Sequence, residues 1–263
     1  MALELEAAFP NTRCRLTQLS WAVEGEHEAV VKMLLERDDV NPNTADWRGQ
    51  TPLSRAASKG HEGIVKLLLE REDVNPGTAN ENGRTPLAGA IWKGHEGVVK
   101  LFLEGGDVDL NIADDYGETQ LLSAARGGYE GVVKMLLERN DINRNTTDNH
   151  GVTPLSVVEY HGNKGVTKML LEREDINPNT NNNCGETPLL RAGCEGHEGV
   201  VKMLLEREGV NSDIVNPAGK TVLSRAQKRG HHAIAKLLSE QTISFPRSMV
   251  TNSQHFPHPN RHI

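Results

Sequence analysis

A histidine followed directly by a glutamate, with an apolar helix behind it, is the pattern in this chain closest to reactive chemistry. It stands in GHEGIVKLLLERE, Gly60 to Glu72. Such a pair could supply a metal ligand and a general base, but the zinc-protease arrangement HExxH needs a second His one helical turn on. Val65 stands there instead. The same letters return as GHEGVVKLFLEGG from Gly94 and GHEGVVKMLLERE from Gly196. A reactive site is usually built once, whereas this segment recurs at a fixed stride. His27, His61, His95, His197 and His231 share one register, and Tyr129 and Asn163 hold it in the two remaining copies. A position that accepts Tyr and Asn is not a required ligand or base. The expected role is a hydrogen bond that steadies the turn between two helices.

The other candidates for chemistry fail on spacing. GNKGVTK at Gly162 lacks the GxxxxGK spacing of a phosphate loop. Cys14, Cys184 and Cys194 are odd in number and show neither CxxC nor zinc-finger spacing, so no disulfide framework is expected. Cys184 and Cys194 fall on a loop and the helix after it, where they could approach one another. Asn145-Thr146-Thr147 reads as a glycosylation sequon, a chance match in an Asn-rich chain. His255, His258 and His262 lie in a tail rich in Pro, Asn and Arg, which reads as disordered rather than metal-binding. The expectation is no catalytic residue, no metal and no cofactor.

Composition points the same way. The 263 residues carry a formal charge of −7, which disfavours nucleic acid as a partner. Aromatic residues make up only 4%, which suits many thin layers better than one thick core. MALELEAAFP has no basic segment and no long apolar run, so it is not a secretory signal, and no stretch has the length of a membrane span. The reading is a soluble, monomeric chain of the cytoplasm or nucleus, without contact with a membrane.

The elements that position these residues come from an internal repeat. Thr17, Thr51, Thr85, Thr119, Thr153, Thr187 and Thr221 are each 34 residues apart, with no insertion or deletion. Thr followed by Pro is a helix start, the hydroxyl capping and the ring at the first helical position. A short first helix follows, with a small residue (Ala22, Ala56, Ala90, Ala124, Ala192 or Ala226) where a neighbour must come close. Gly60, Gly94, Gly128, Gly162, Gly196 and Gly230 are expected to end it in the left-handed conformation. The second helix carries a broad apolar stripe, for example Ile64, Val65, Leu67, Leu68 and Leu69, and a solvated ladder such as Glu62, Lys66 and Glu70. The Asn, Pro and Gly of DVNPNTADWRGQ turn the chain back through a finger tipped by Gly49, Gly83, Gly117, Gly151, Gly185 and Gly219.

This order of Gly-x-Thr-Pro-Leu, Ala, Gly-His, Val-Val, Leu-Leu and Asp-Val-Asn resembles the ankyrin repeat family. The resemblance implies an all-α solenoid of about seven stacked helix-turn-helix units, with β-hairpin-like finger loops along one edge. It also implies a protein-binding surface on first helices and fingers, without catalysis. Two features depart from the family pattern. The His usual after Thr-Pro-Leu is replaced by Ser54, Ala88, Leu122, Ser156, Leu190 and Ser224, and the connector is redistributed to give 34 residues rather than 33. The variant looks like arrays of fungal proteins, often behind a NACHT-type NTPase. An alternative reading is therefore a recognition-array fragment of a fungal NACHT/NLR-like sensor.

The expected organisation is a half-unit or N-terminal cap at 1–16 and units at 17–50, 51–84, 85–118, 119–152, 153–186, 187–220 and 221–241. A disordered tail at 242–263 follows. Ser239, Gln227 and Val222 mark the last unit as a wettable cap. The fifth unit departs most: Val158 crowds the small site, Glu159 follows it, Lys164 faces Lys168 and Thr167 interrupts the apolar stripe, so local opening is expected there. Function in an array lives where units differ. Trp47 and Tyr116 fall on fingers, whereas Arg55, Lys59, Trp92, Lys93, Arg126, Tyr160, His161 and Arg191 fall on first helices. Together they form a basic, aromatic-interrupted face suited to an acidic, partly apolar protein segment, with Trp92 and Tyr160 as anchors. The expected function is an adaptor or scaffold that binds a protein partner there.

Overall fold

The structure is a computed structural model that describes residues 16–105 and 108–244. The expected half-unit at 1–16 and the tail histidines therefore fall almost wholly outside the described residues. Among the described residues there are fourteen helices and no strand. First helices are α1 (Gln18–Glu24), α3 (Pro52–Lys59), α5 (Pro86–Lys93), α7 (Gln120–Gly127), α9 (Pro154–His161), α11 (Pro188–Glu195) and α13 (Val222–Arg229). Second helices are α2 (Glu28–Leu35), α4 (Glu62–Leu69), α6 (Glu96–Glu104), α8 (Glu130–Leu137), α10 (Lys164–Leu171), α12 (Glu198–Glu206) and α14 (His232–Ser244). The last helix thus reaches slightly past the expected end of the array. Each helix packs on its partner within the pair and on its counterparts in the neighbouring pairs, giving two parallel layers of helices.

The threonines start the first helices as their chemistry requires. Thr51, Thr85, Thr153, Thr187 and Thr221 each accept the amide hydrogen three residues on, with Pro at the next position in four of the five. Thr119, followed by Gln120, makes no such cap; its hydroxyl meets that of Thr146 at 2.9 Å. The helices end at left-handed glycines, Gly60 with φ 78° for example. A Cβ there would also lie 2.6 Å from Nδ1 of His95 in the next unit, so glycine is required twice over. In the first unit Glu26 takes this place with φ 57°, a strained conformation for a residue with a side chain.

The core is a continuous row of side chains shared between units. Ala56, Ala90, Ala124, Ala192 and Ala226 are buried, and so are the second-helix pairs Ile64–Val65, Val98–Val99, Val132–Val133 and Val200–Val201. Val30, the sister of Ile64, is exposed on the first described pair. At the other end Gln227 and Ser239 are exposed, the latter donating to the Ala235 carbonyl at 2.8 Å.

Polar groups bind the layers along three lines. The first runs along the fingers, which are tight turns rather than paired strands. In each, one Asp or Asn accepts two backbone amide hydrogens: Asp46 from Arg48 and Gln50, Asn80 from Asn82 and Arg84, Asp148 from His150 and Val152. Backbone bonds then join finger to finger: Glu81 to Arg48, Asp115 to Asn82, Asn149 to Tyr116 and Asn183 to His150, at 2.9–3.1 Å. Pro217 occupies the corresponding position in the last finger and has no hydrogen to donate.

The second line follows the opposite connectors and is an asparagine ladder. Asn43, Asn111, Asn145 and Asn179 each donate Nδ2 to a carbonyl of the next connector, and each accepts an amide hydrogen two residues further on. Gly77 stands where this rung belongs between the second and third units.

The third line belongs to the recurrent histidine. Its expected bond within one turn is in fact a bond between units. Nε2 of His95, His197 and His231 lies 3.0 Å from the carbonyl oxygens of Ser58, Tyr160 and Cys194, at the end of the preceding first helix. Tyr129 reaches the Trp92 carbonyl and Asn163 the Gly128 carbonyl, both at 3.4 Å. Five second-helix glycines accommodate the preceding unit in the same way. Side chains of Glu28, Glu62, Glu96 and Glu130 lie against Gly63, Gly97, Gly131 and Gly165, close to the positive ends of those helices. Lys164 lies against Gly199 and reverses the sign of the last contact.

The fifth unit concentrates the defects. Glu159 is completely buried with both carboxylate oxygens unpartnered, at a position held by Ala57 and Ala125 elsewhere. Burial pushes its carboxyl well above the usual glutamate range. The sign follows from linkage: a raised folded-state pKa leaves stability intact at pH values below the unfolded pKa of about 4.3 and erodes it as pH rises toward the folded value. Glu159→Met, which keeps the length and removes the carboxyl, is expected to raise the unfolding free energy at pH 7 by about 1–3 kcal/mol. Denaturant titrations across pH should show that gain shrinking as pH falls toward about 4.3. A gain independent of pH would contradict this account. Asn145→Ala should remove one rung, its bonds to the Asp175 carbonyl and the Asn177 amide, and cost about 0.5–1.5 kcal/mol, read by the same titration at neutral pH.

Candidate functional site

The residues expected to bind a partner occur on first helices and fingers, and the structure divides them into two groups. Arg55, Lys59 and Arg126 are held in ion pairs within the chain. Arg55 reaches Glu24 at 3.0 Å and also Asp46, and Lys59 reaches Glu24 at 2.7 Å. Arg126 reaches Glu118 at 3.2 Å and Asp148 at 3.1 Å. Arg225 and Arg229 repeat the pattern with Glu186 and Glu195. The basic face read from the sequence is thus largely a row of neutralised pairs. Its arginines span between the acidic turn residues of the fingers and the first helices.

The titration behaviour agrees with the geometry. Burial alone would raise Asp46, but the Gln50 amide, the Arg55 guanidinium and the Arg48 amide outweigh it and hold the carboxyl below its ordinary range. Lys59, with Arg55 behind it, lowers Glu24 against a smaller effect of burial. Both carboxylates are therefore charged at neutral pH and keep their arginine engaged.

The second group is aromatic and more accessible. Trp47, Trp92, Tyr116 and Tyr160 expose 52%, 40%, 60% and 50% of their surface. Trp21, on α1, is exposed as well. Arginines lie over the rings: Arg48 at 4.5 Å from the Trp47 centroid, Arg84 at 4.2 Å from Trp92 and 5.9 Å from Tyr116, and Arg191 at 5.1 Å from Tyr160. Arg84, absent from the expected residues, therefore joins Trp92 and Tyr116 into one patch while its Nε donates to Asp114 at 2.9 Å. Tyr160 meets His161 edge-on at 5.2 Å. Burial, then the positive charges of Arg126 and Arg191, depress the His161 pKa and keep the ring neutral at pH 7. Lys93 and Arg191 have no carboxylate partner among the described residues.

Between the second and third units, the face opens into a notch of about 220 Å³ that Trp92 and Lys93 help to line. Neither its volume nor Arg84 was visible in residue types alone. The sequence signal that could have found it is Gly89, which stands four places after its threonine where Arg55, Arg191 and Arg225 stand in other units.

The remaining candidates for chemistry do not converge into a cluster among the described residues. Cys184 is exposed and Cys194 buried, both as free thiols, and burial raises the Cys194 pKa. Among the described residues, no three His, Cys, Asp or Glu side chains converge as metal ligands. No described helix is long and apolar enough to cross a membrane.

Comparison with known proteins agrees with this architecture. No curated protein sequence matches the chain. Among solved structures it is similar to the human ASB11 ankyrin repeat domain, with 24% identity and a TM-score of 0.72. That match covers 85% of this chain and 98% of the other. The ankyrin repeat domain of Bcl-3, an IkappaB family member, matches with 23% identity and a TM-score of 0.75 over 86% and 99% of the two chains. An ankyrin repeat domain from Acinetobacter baumannii matches at 27% identity, TM-score 0.67, over 72% and 96%. The family model for ankyrin repeats in three copies matches residues 19–114, 72–148, 106–182 and 157–248. Stacked helix pairs and capping threonines recur throughout the stretch that this family model covers: the chain belongs to the ankyrin repeat family.

Proposed function

We propose that this chain is a non-catalytic scaffold that holds a protein partner against its first helices and fingers. Ankyrin repeats are in general protein–protein interaction modules. The observation that supports the surface is the placement of the exposed aromatic side chains. Trp21, Trp47, Trp92, Tyr116 and Tyr160 are all on first helices or fingers, and the solvated faces of the second helices carry repeated Glu and Lys instead. Large amphipathic rings with little rotamer freedom are the side chains that most often dominate binding energy at protein interfaces. Here arginines already lie over four of the rings, so the rings are oriented before a partner arrives.

The partner class this face fits is a segment with apolar side chains for the rings and acidic groups for Lys93 and Arg191. The paired arginines contribute shape rather than free charge, since a ligand carboxylate would have to displace Asp46, Glu118 or Asp148. Salt should therefore weaken binding only modestly, less than a face with every basic residue free would imply.

A photo-crosslinking residue placed at Trp47 or Tyr160 should capture a discrete protein from extracts of the native source. The same residue at Lys66 or Lys134, on the second-helix face, should not. Trp92→Ala combined with Tyr160→Ala should weaken binding of the captured protein at least about tenfold, with the unfolding midpoint little changed. Equal capture from both faces, or no loss of affinity in the double variant, would remove the basis for this assignment.

A further inference from the structure

The notch between the second and third units lies where the third unit has neither member of an ion pair that the second unit makes. In the second unit Arg55, four places after Thr51, bonds Asp46, five places before it. In the third unit the same two positions are Gly89 and Asn80. In the later units at least one of the two positions keeps a charged residue: Asp114, Asp148, Arg191 and Arg225. From the second unit on, only the third has an uncharged group on both finger and helix, and the space between them stays open. A Cβ on Gly89 would touch nothing but the Ser58 Cβ, at 3.6 Å.

What remains around the space is rich in donors. Asn80 commits Oδ1 to the amide hydrogens of Asn82 and Arg84, which leaves its Nδ2 to donate. Lys93 stands at one side without a carboxylate partner, and Ser58 lines the wall. Trp92 forms an apolar side, held in place by the Arg84 guanidinium. No Asp or Glu lines the notch.

We infer that this notch is the specificity pocket of the binding face and receives an aspartate or glutamate side chain of the partner. The carboxylate takes hydrogen bonds from Asn80 and Lys93, and an adjacent aromatic or branched apolar residue lies on Trp92. The inference rests on the protein-binding reading above and deepens it. A guest lysine or arginine would meet Lys93 and Arg84 with nothing to neutralise it, and a wholly apolar guest would leave the Asn80 and Lys93 donors without acceptors.

The test uses a phage-displayed library of random dodecapeptides panned on the full chain, followed by fluorescence anisotropy of the selected peptides. Gly89→Arg fills the notch with a side chain that sister positions already carry, and it improves helix propensity, so the fold is retained. Expected are peptides with Asp or Glu beside an aromatic or branched residue. Their Kd should rise at least tenfold on Gly89→Arg and when the peptide carboxylate becomes the amide, and Lys93→Gln should raise it as well. Peptides that bind wild type and Gly89→Arg alike, yet are lost on Tyr160→Ala, would overturn the pocket and leave the binding face standing. Selection of Gly89-dependent peptides without an acidic residue would overturn the carboxylate assignment. Failure to select any peptide sensitive to Gly89 or Tyr160 would count against pocket and face together.

Discussion

A pair of short helices cannot bury its own apolar stripe, and every other feature of this chain depends on that constraint. Helices of seven to nine residues, such as α1 and α6, are too short to be stable alone in water. Val65, Val99, Val133 and Val201 reach full burial because a neighbouring pair closes over them. The polar lines then fix how the pairs close. Finger amides, the asparagine ladder and the recurrent histidine each join one unit to the next at a constant sequence offset. They make the stacking angle a property of the sequence rather than of apolar contact alone, which has little direction of its own.

The same arrangement determines the charge on the side of first helices and fingers. An aspartate or asparagine is needed to close each finger, and where it is aspartate an arginine neutralises it: Arg55 for Asp46, Arg84 for Asp114, Arg126 for Asp148. Charge on this side is therefore mainly architectural. The side chains that the turn does not use are the exposed rings, Lys93 and Arg191, and these are the ones on which the proposed recognition rests.

Much of the fold was legible because the repeat prints each position several times. The stride of the threonines, the left-handed glycines and the apolar stripe fixed helix pairs, their ends and their stacking, and the odd residues of the fifth unit marked its defects. Glu159 was noticed as a departure, and only burial revealed that both its oxygens lack partners. The destination of the histidine was read too locally. Its ring leaves the second helix for the previous unit, and a bond to a backbone carbonyl leaves no complementary side chain to find in the sequence. The arginines were read as a free basic face because their acids lie on other elements, Asp46 and Glu118 in the preceding finger and Glu24 on the helix of the previous unit. The notch is recorded only as two missing side chains, which an inventory of residue types does not register.

The asparagine ladder has a consequence for how such a chain can change its length. Each Asn donates to a carbonyl thirty residues on and accepts from an amide thirty-two residues on. Losing or gaining a single residue inside a unit would pull finger amides, ladder and histidine out of alignment together, and a side chain would meet the wrong carbonyl at each. Removing or duplicating a whole unit leaves every offset intact. The lateral bonds therefore act as a reading frame in three dimensions: growth by complete copies is cheap, and slippage within a copy is not.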